Sequence, residues 1–227
     1  MRKFTMALAA AALALAAPAS ISAQDLSAVC NHMQQAEAGD WAEYATESPQ
    51  GSGTLRFAML PEGASGDAGQ WLEMAGEFNG QTSVVQVLVD NYPHTPGDIS
   101  AVVMKQGEQP AQQLPESMIT QVANQIATPV SGIAAVCAES EVVGNEALDV
   151  PAGSFDAVQI RPPTADAQAD TLNTQVWVST NATFGLVRTE STLGSITLTD
   201  MGSGATSSIS ETPTEMQPAS PGGGGTP

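Results

Sequence analysis

The sequence is poor in the side chains that carry most enzyme chemistry. Its 227 residues include two His, two Cys and six Lys or Arg, and aromatic residues make up 4% of the chain. Nucleophilic catalysis needs a base such as His or Lys within hydrogen-bond reach of the nucleophile. His32 lies on a predicted helix and His94 in a Pro-flanked turn, and no Ser occupies a Gly-x-Ser-x-Gly elbow. We therefore expect a protein that is not an enzyme and that needs no cofactor.

The net charge and the spacing of metal-ligating residues exclude two further classes. The 24 Asp and Glu residues give a formal net charge of −18 at pH 7, which opposes generic binding to nucleic acid or to anionic lipid headgroups. The sequence contains no Cys-x-x-Cys pair, no His-Glu-x-x-His and no Asp-x-Asp-x-Asp loop. We expect no nucleic-acid partner and no specific metal site.

Residues 1–23 have the pattern of a secretory signal peptide. Arg2 and Lys3 precede a Leu/Ala run, and small residues lead up to a predicted cleavage near Ala23. An uncleaved anchor is the alternative, but the run is shorter than the ~20 apolar residues that span a bilayer. Cleavage removes two of the six bases and leaves 4 against 24 acids. The sequence therefore predicts a periplasmic or secreted protein that is not an integral membrane protein.

The predicted export determines whether the two cysteines can form a disulfide. An oxidising compartment permits a disulfide, and with two Cys the single pairing is Cys30 with Cys137. This disulfide would join an N-terminal helix to the middle of the chain. Two buried free thiols that act as small apolar side chains are the alternative.

Hydrophobic periodicity predicts a mainly β (α+β) fold. A helical stripe runs over Leu26–Glu37, and the period then changes to two, as in Leu55, Phe57 and Met59. About nine or ten such strands follow at short intervals, and short connections imply antiparallel neighbours. Residues 115–127 interrupt the strands as an amphipathic helix. The prediction is a curved antiparallel meander sheet, or an incomplete barrel, covered by the N-terminal helix and the inserted central helix.

Composition divides the mature chain into one domain and a tail. Residues 24–200 carry the periodic segments and are long enough for a single hydrophobic core. Residues 201–227 are rich in Gly, Ser, Thr and Pro. Such a segment has too little apolar surface to offset its ordering entropy, so we expect a disordered tail. A role for the tail as a tether or a partner motif is the alternative.

The apolar residues supply the candidate binding site. Nine Met accompany many Val, Leu and Ala, and Met-rich surfaces accept varied apolar ligands. A curved sheet capped by helices can enclose an apolar cavity. The residues predicted to line it lie on the strands or on the central helix: Leu55, Phe57, Met59, Trp71, Met74, Met104, Met118, Val122 and Ile126. The alternative is that the Met residues fill an irregular core.

The order of elements and three local motifs resemble a known superfamily. The motifs are Gly39–Tyr44 before the first strand, the Val150–Val158 hairpin, and Trp177–Ser179 followed by Phe184–Val187. With them, the chain resembles the LolA/LolB type of bacterial lipoprotein carriers and related uncharacterised envelope domains. The resemblance implies an incomplete barrel, lidded by helices, that holds acyl chains in its hollow.

The expected function is binding of an apolar ligand in the cell envelope. The ligand would be a lipid or a lipoprotein acyl chain, held by its hydrocarbon because the remaining bases are dispersed along the sequence. The alternative is a structural or protein-interaction module with a solid core, no ligand and an envelope protein as its partner. The sequence leaves the oligomeric state open.

Overall fold

The computed structural model describes most of the chain between residues 25 and 216. The described ranges are 25–33, 35–66, 68–89, 99–123, 134, 136–163 and 173–216. They contain twelve strands: β1 (Trp41–Ser48), β2 (Gly51–Glu62), β3 (Ala68–Phe78), β4 (Gln81–Val89), β5 (Ile99–Gln106), β6 (Gln112–Gln113), β7 (Glu141–Val150), β8 (Gly153–Arg161), β9 (Gln175–Val178), β10 (Leu186–Ser191), β11 (Gly194–Gly202) and β12 (Thr214–Glu215). Two α-helices, α1 (Leu26–His32) and α2 (Glu116–Ala123), and a 3-10 turn at Cys137–Glu139 accompany the strands.

The strands form one open, curved sheet. Their spatial order is β12-β6-β5-β4-β3-β2-β1-β11-β10-β9-β8-β7. Neighbouring strands are antiparallel except for β12 and β6, which are parallel. The predicted mainly antiparallel β fold is confirmed. The two strands that periodicity did not predict, β6 and β12, are two residues long, which is too short to show a period.

Side chains on β2 alternate between the two faces of the sheet. Leu55, Phe57 and Met59 lie on the side that α1 and α2 cover, which we call the helix face. Arg56 and Leu60 lie on the opposite side, the back face. Residues that pair directly across antiparallel strands share a face, so the register extends this alternation over the sheet.

The helix α1 packs into the larger apolar cluster on the helix face. Asp25 caps the helix by accepting a hydrogen bond from the Ser27 amide at 3.0 Å. Met33, just after the helix, is 1% exposed and lies against Gly185. At Gly185 φ is +75°, and a Cβ atom would come within 2.2 Å of Met33 Cγ. Glycine satisfies both constraints because it lacks a Cβ atom.

The helix α1 is shorter than the sequence predicts. Periodicity indicates a helix over Leu26–Glu37, whereas α1 ends at His32. The residues that follow bring the Gly39 amide within 2.6 Å of the Met59 carbonyl oxygen. Hydrogen bonding to the sheet therefore overrides the helical period in this segment.

Cys30 and Cys137 form a disulfide, as predicted. Their Cα atoms are 5.6 Å apart, and the bond connects α1 to the 3-10 turn 107 residues later. Both residues are buried in the larger cluster on the helix face. The alternative of two free thiols is excluded.

The helix α2 covers a second, smaller cluster on the helix face. Its Ile119 is buried together with Met59, Leu72 and Val87. The predicted central helix therefore does pack on the sheet. Its predicted last residues, 124–127, lie outside the described residues.

Residues 203–216, which we name the strap, pack on the sheet, and this corrects the tail boundary expected from composition. Ala205 and Ile209 are buried on the back face, and Thr214 pairs with Gln112 at the sheet edge. The composition is low in apolar residues, but polar groups on the sheet supply the strap with further contacts. Residues 217–227 lie outside the described residues.

Candidate functional site

Five of the predicted lining residues share the helix face and differ in burial. Phe57 and Met59 are each 1% exposed and belong to the larger and the smaller cluster, respectively. Leu55 and Met74 are half-buried against the larger cluster, and Met104 is half-buried against the smaller one. The half-buried side chains, rather than the buried ones, retain surface that a ligand could contact.

Trp71 lies on the back face, away from these five residues. It pairs with Leu60 on β2 and with Leu88 on β4, and it is buried. Trp71 and Met74 are three positions apart, and an odd number of positions places two side chains on opposite faces of a regular strand. This signal was present in the sequence and separates Trp71 from the other candidates.

The predicted candidates of the central helix are described in part. Met118 is half-buried on α2. The side chain of Val122 and the whole of Ile126 lie outside the described residues. Their place in a cavity stays a prediction.

Three half-buried apolar residues form a row across neighbouring strands of the helix face. Met74 on β3 pairs with Val85 on β4, and Val85 pairs with Met104 on β5. Neighbouring strands are about 4.8 Å apart, so this apolar row is roughly 10 Å long. It touches the larger cluster at Met74 and the smaller cluster at Val85 and Met104.

Four of the surface pockets formed by the described residues are lined by other side chains. One of about 930 Å³ lies between the β3–β4 and β5–β6 turns, beside Phe78 and Gln106. A second of about 370 Å³ lies between residues 60–66 and the strap. The other two lie at hairpin tips that include Glu47. None of the seven predicted lining residues whose side chains the structure describes borders any of these four pockets.

A buried polar pair lies on the back face. Glu73 is 1% exposed, Gln86 is fully buried, and the two residues pair across β3 and β4. Gln86 Nε2 donates to Glu73 Oε2 at 2.7 Å, and Arg56 Nη1 donates to Glu73 Oε1 at 3.1 Å. The Arg56 guanidinium also lies 5.5 Å from the centre of the Trp41 ring. The Glu73 carboxylate is thus paired and hydrogen-bonded, as a buried charge requires.

The strap supplies further contacts to this polar pair. Ser208 donates to Glu73 from its amide at 2.9 Å and from its hydroxyl at 2.7 Å. Gln86 Nε2 also donates to the Ser207 hydroxyl oxygen at 2.7 Å, and Gln86 Oε1 accepts from the Ala64 amide at 2.8 Å. Glu73 and Gln86 therefore bind both the side chains and the main chain of the strap.

An ion pair holds the strap nearer its end. Lys105 Nζ lies 2.7 Å from Glu211 Oε1, and the same oxygen accepts from the Ala111 amide at 3.3 Å. The hydrogen bond from Lys105 is the main reason that the pKa of Glu211 lies below its usual value. The ionised form of Glu211 is therefore favoured when the strap is in place.

Sequence reasoning missed Glu73 and Gln86 as site residues. Glu73 stands between Leu72 and Met74, and Gln86 is flanked by valines on β4. A polar residue at the centre of a buried strand indicates a polar partner on its face. Glu73 and Gln86 are partners of each other across β3 and β4, but their partners in the strap are 121 and 135 residues away along the chain, so local patterns did not reveal those contacts.

Ionisable side chains do not gather into a metal site within the described ranges. His32 Nε2 lies 2.9 Å from the Ala182 carbonyl oxygen, and His94 lies outside the described residues. In the part of the chain that the structure describes, no helix is long and apolar enough to cross a membrane.

No protein-family model and no curated protein matches the chain. Several solved structures are distantly similar. A MucB structure has 12% identity and a TM-score of 0.36, over 79% of this chain and 59% of that one. The Pseudomonas aeruginosa MucA/MucB complex has 11% identity and a TM-score of 0.35, over 79% of this chain and 56% of that one. A chain provisionally named a lipoprotein, from Parabacteroides distasonis, has 13% identity and a TM-score of 0.27, over 75% of this chain and 98% of that one.

The chain spans a little over half the length of the MucB structures that it resembles. At such low identities and TM-scores, these likenesses carry no conclusion about family, activity or partner. The closer kinship with LolA/LolB-type carriers stays a prediction.

Proposed function

We propose that the protein is an exported cell-envelope domain that binds a lipid or acyl chain along the apolar row, and that it acts by binding rather than catalysis. The observation that carries the proposal is that Met74, Val85 and Met104 stay half-buried between two closed clusters. The disulfide supports export, because disulfides persist mainly in oxidising compartments.

Burial of hydrocarbon would drive this binding. Covering about 200 Å² of apolar surface stabilises a complex by about 5 kcal/mol before the cost of association. Unbranched, polarisable Met side chains adapt to chains of different shape. Two of the three residues in the row are Met, which favours a flexible apolar ligand.

The basic residues support the same mode of binding. All four bases of the predicted mature chain lie in ion pairs with glutamates: Arg56 with Glu73, Lys105 with Glu211, Arg161 with Glu141, and Arg188 with Glu190. An anionic headgroup would have to compete with these carboxylates. We therefore expect the ligand to be held by its chain and not by its headgroup.

Palmitate binding to the purified chain tests the proposal. The double variant Met74→Gln/Met104→Gln keeps side-chain length but places amides in the row, so we expect palmitate affinity to fall at least tenfold. The matched control is Leu193→Gln, which alters a 61% exposed apolar residue in the β10–β11 turn and should leave affinity unchanged. Equal affinities for all three proteins, or no palmitate binding by the wild type, would overturn the proposal.

A protein-interaction role is the second candidate. It is favoured by the tight burial of the two clusters on the helix face and by the position of the four pockets away from the apolar row. Native mass spectrometry of gently purified protein distinguishes the two roles. A bare polypeptide mass, together with absent palmitate binding, would favour the interaction module.

A further inference from the structure

The strap contacts the sheet as a bound peptide contacts its receptor. Three kinds of contact hold it: buried apolar side chains, hydrogen bonds to polar residues of the sheet, and addition of a short strand at the sheet edge. Extended peptides are commonly recognised through this combination of main-chain bonding and side-chain sites.

The apolar contacts come from two strap residues four positions apart. Ala205 and Ile209 are 7% and 3% exposed, and they share a cluster with Leu60, Trp71 and Val103. This cluster is separate from the two clusters of the helix face. The sheet therefore has an apolar surface on its back face that the strap covers.

The polar contacts are made by Ser207 and Ser208, which lie between Ala205 and Ile209 in the strap. Glu73 accepts from both the amide and the hydroxyl of Ser208, and Gln86 donates to the hydroxyl of Ser207. A serine hydroxyl supplies both a donor and an acceptor, which matches a carboxylate beside an amide. Apolar side chains at these two positions would remove one hydrogen bond from Glu73 and one from Gln86.

The strap ends by extending the sheet. Thr214 and Glu215 pair in parallel with Gln112 and Gln113, and the Met216 amide donates to the Gln113 carbonyl oxygen at 2.8 Å. Before this edge, Lys105 pairs with Glu211. Addition of a strand to an exposed edge is a recurring mode of peptide binding.

The strap leaves the sheet through a short glycine-containing hinge. Gly202 ends β11, Ser203 is exposed, and Gly204 has a φ of +81°. Fourteen extended residues reach roughly 45 Å, which is enough to reach a neighbouring molecule. A segment joined through such a hinge is suited to exchange between copies of a protein.

We propose that the back face of β2–β5 and the edge of β6 form a peptide-binding site, occupied by the chain's own strap, that also accepts the strap of a second copy. The ligand class is an extended peptide with two adjacent serines, an aliphatic residue directly after them and an acidic residue two positions later. This inference is independent of the apolar row.

Cleavage at the hinge of the full chain provides the test. A protease site is inserted after Ser203, the folded protein is cut, and a fluorescein-labelled peptide of residues 203–216 is added. The peptide stands for the strap of a second copy. We expect fluorescence anisotropy to show one labelled peptide taken up per cut chain, with displacement of the cut strap.

Peptide variants make the test specific without changing the protein core. Ser207→Ala/Ser208→Ala in the peptide removes the two hydroxyls that bind Glu73 and Gln86, and we expect affinity to fall at least tenfold. Ser210→Ala is the matched control, because the exposed Ser210 hydroxyl is not one of the two that bind Glu73 and Gln86, and its affinity should equal that of the unchanged peptide.

Three outcomes would overturn the proposal. One is a cut chain that keeps its β circular dichroism but takes up no labelled peptide. Another is a cut chain that loses its fold, since the strap would then be an integral part of the core. The third is equal binding of the double-serine variant and the Ser210→Ala control.

Discussion

Glu73 and Gln86 lie opposite each other on β3 and β4, with Gln86 Nε2 2.7 Å from Glu73 Oε2, and the strap closes over both. This pair connects residues that are adjacent in the sheet to a segment more than 120 positions later in the chain. The strap is therefore part of the folded domain. The contribution of Glu73 to the free energy of unfolding can be measured by substitution.

Substitution of Glu73 should destabilise the protein strongly. Glu73→Ala removes the counter-charge of Arg56 and an acceptor of both Gln86 and Ser208. Removing one partner of a buried ion pair costs about 3–5 kcal/mol. Urea unfolding followed by circular dichroism measures the loss. The control Glu77→Ala, at an exposed position of the same strand, should change stability by about 0.5 kcal/mol or less.

The ion pair of the strap should weaken in acid. The pKa of Glu211 is lowered in the folded protein, so its contribution to stability is present above the usual value of 4.5 and is lost as pH falls through the folded pKa. Glu211→Gln should therefore be less stable than the wild type at pH 7, and the difference should shrink below about pH 4.5. Urea unfolding at pH 7 and at pH 3 tests this sign. A constant difference between the two proteins would contradict it.

The disulfide should stabilise the fold mainly through the unfolded chain. A crosslink across 107 residues contributes about 4–5 kcal/mol in the chain-entropy description. We expect the free energy of unfolding of Cys30→Ala/Cys137→Ala, measured with urea, to be lower than that of the wild type by most of this contribution. Dithiothreitol should lower the stability of the wild type and leave the double variant unaffected. A loss below about 1 kcal/mol would show that the reduced unfolded chain is already restricted.

Two glycines with almost the same φ angle allow the cost of backbone strain to be measured apart from the cost of a steric clash. Gly185 and Gly80 have φ of +75° and +76°, but only Gly185 has a side chain, Met33, within contact of an added Cβ atom. Gly80→Ala should cost about 1 kcal/mol from the left-handed backbone alone. Gly185→Ala should cost about 1–3 kcal/mol more, because Met33 and α1 must move. Equal losses of unfolding free energy in Gly80→Ala and Gly185→Ala would show that α1 and Met33 can shift at little energetic cost.

The helix-face side of the candidate site was predictable because it depends on local patterns. Period two placed Leu55, Phe57 and Met59 on one face, and Met74 and Met104 joined them once strand register was known. The same period separates Trp71 from Met74, although the prediction grouped them. Which of these residues stay half-buried depends on where α1 and α2 pack, and the sequence pattern does not contain that information.

The sequence by itself determined the longer strands, their antiparallel arrangement and the single available disulfide, because alternation, turn residues and a count of two Cys are local or compositional properties. Tertiary structure decided the role of residues 203–216. Their few apolar residues predicted disorder, but Ala205 and Ile209 meet an apolar surface, and Ser207 and Ser208 meet a buried carboxylate and amide. The ordering entropy of this segment is offset by partners far away in sequence, which composition does not reveal.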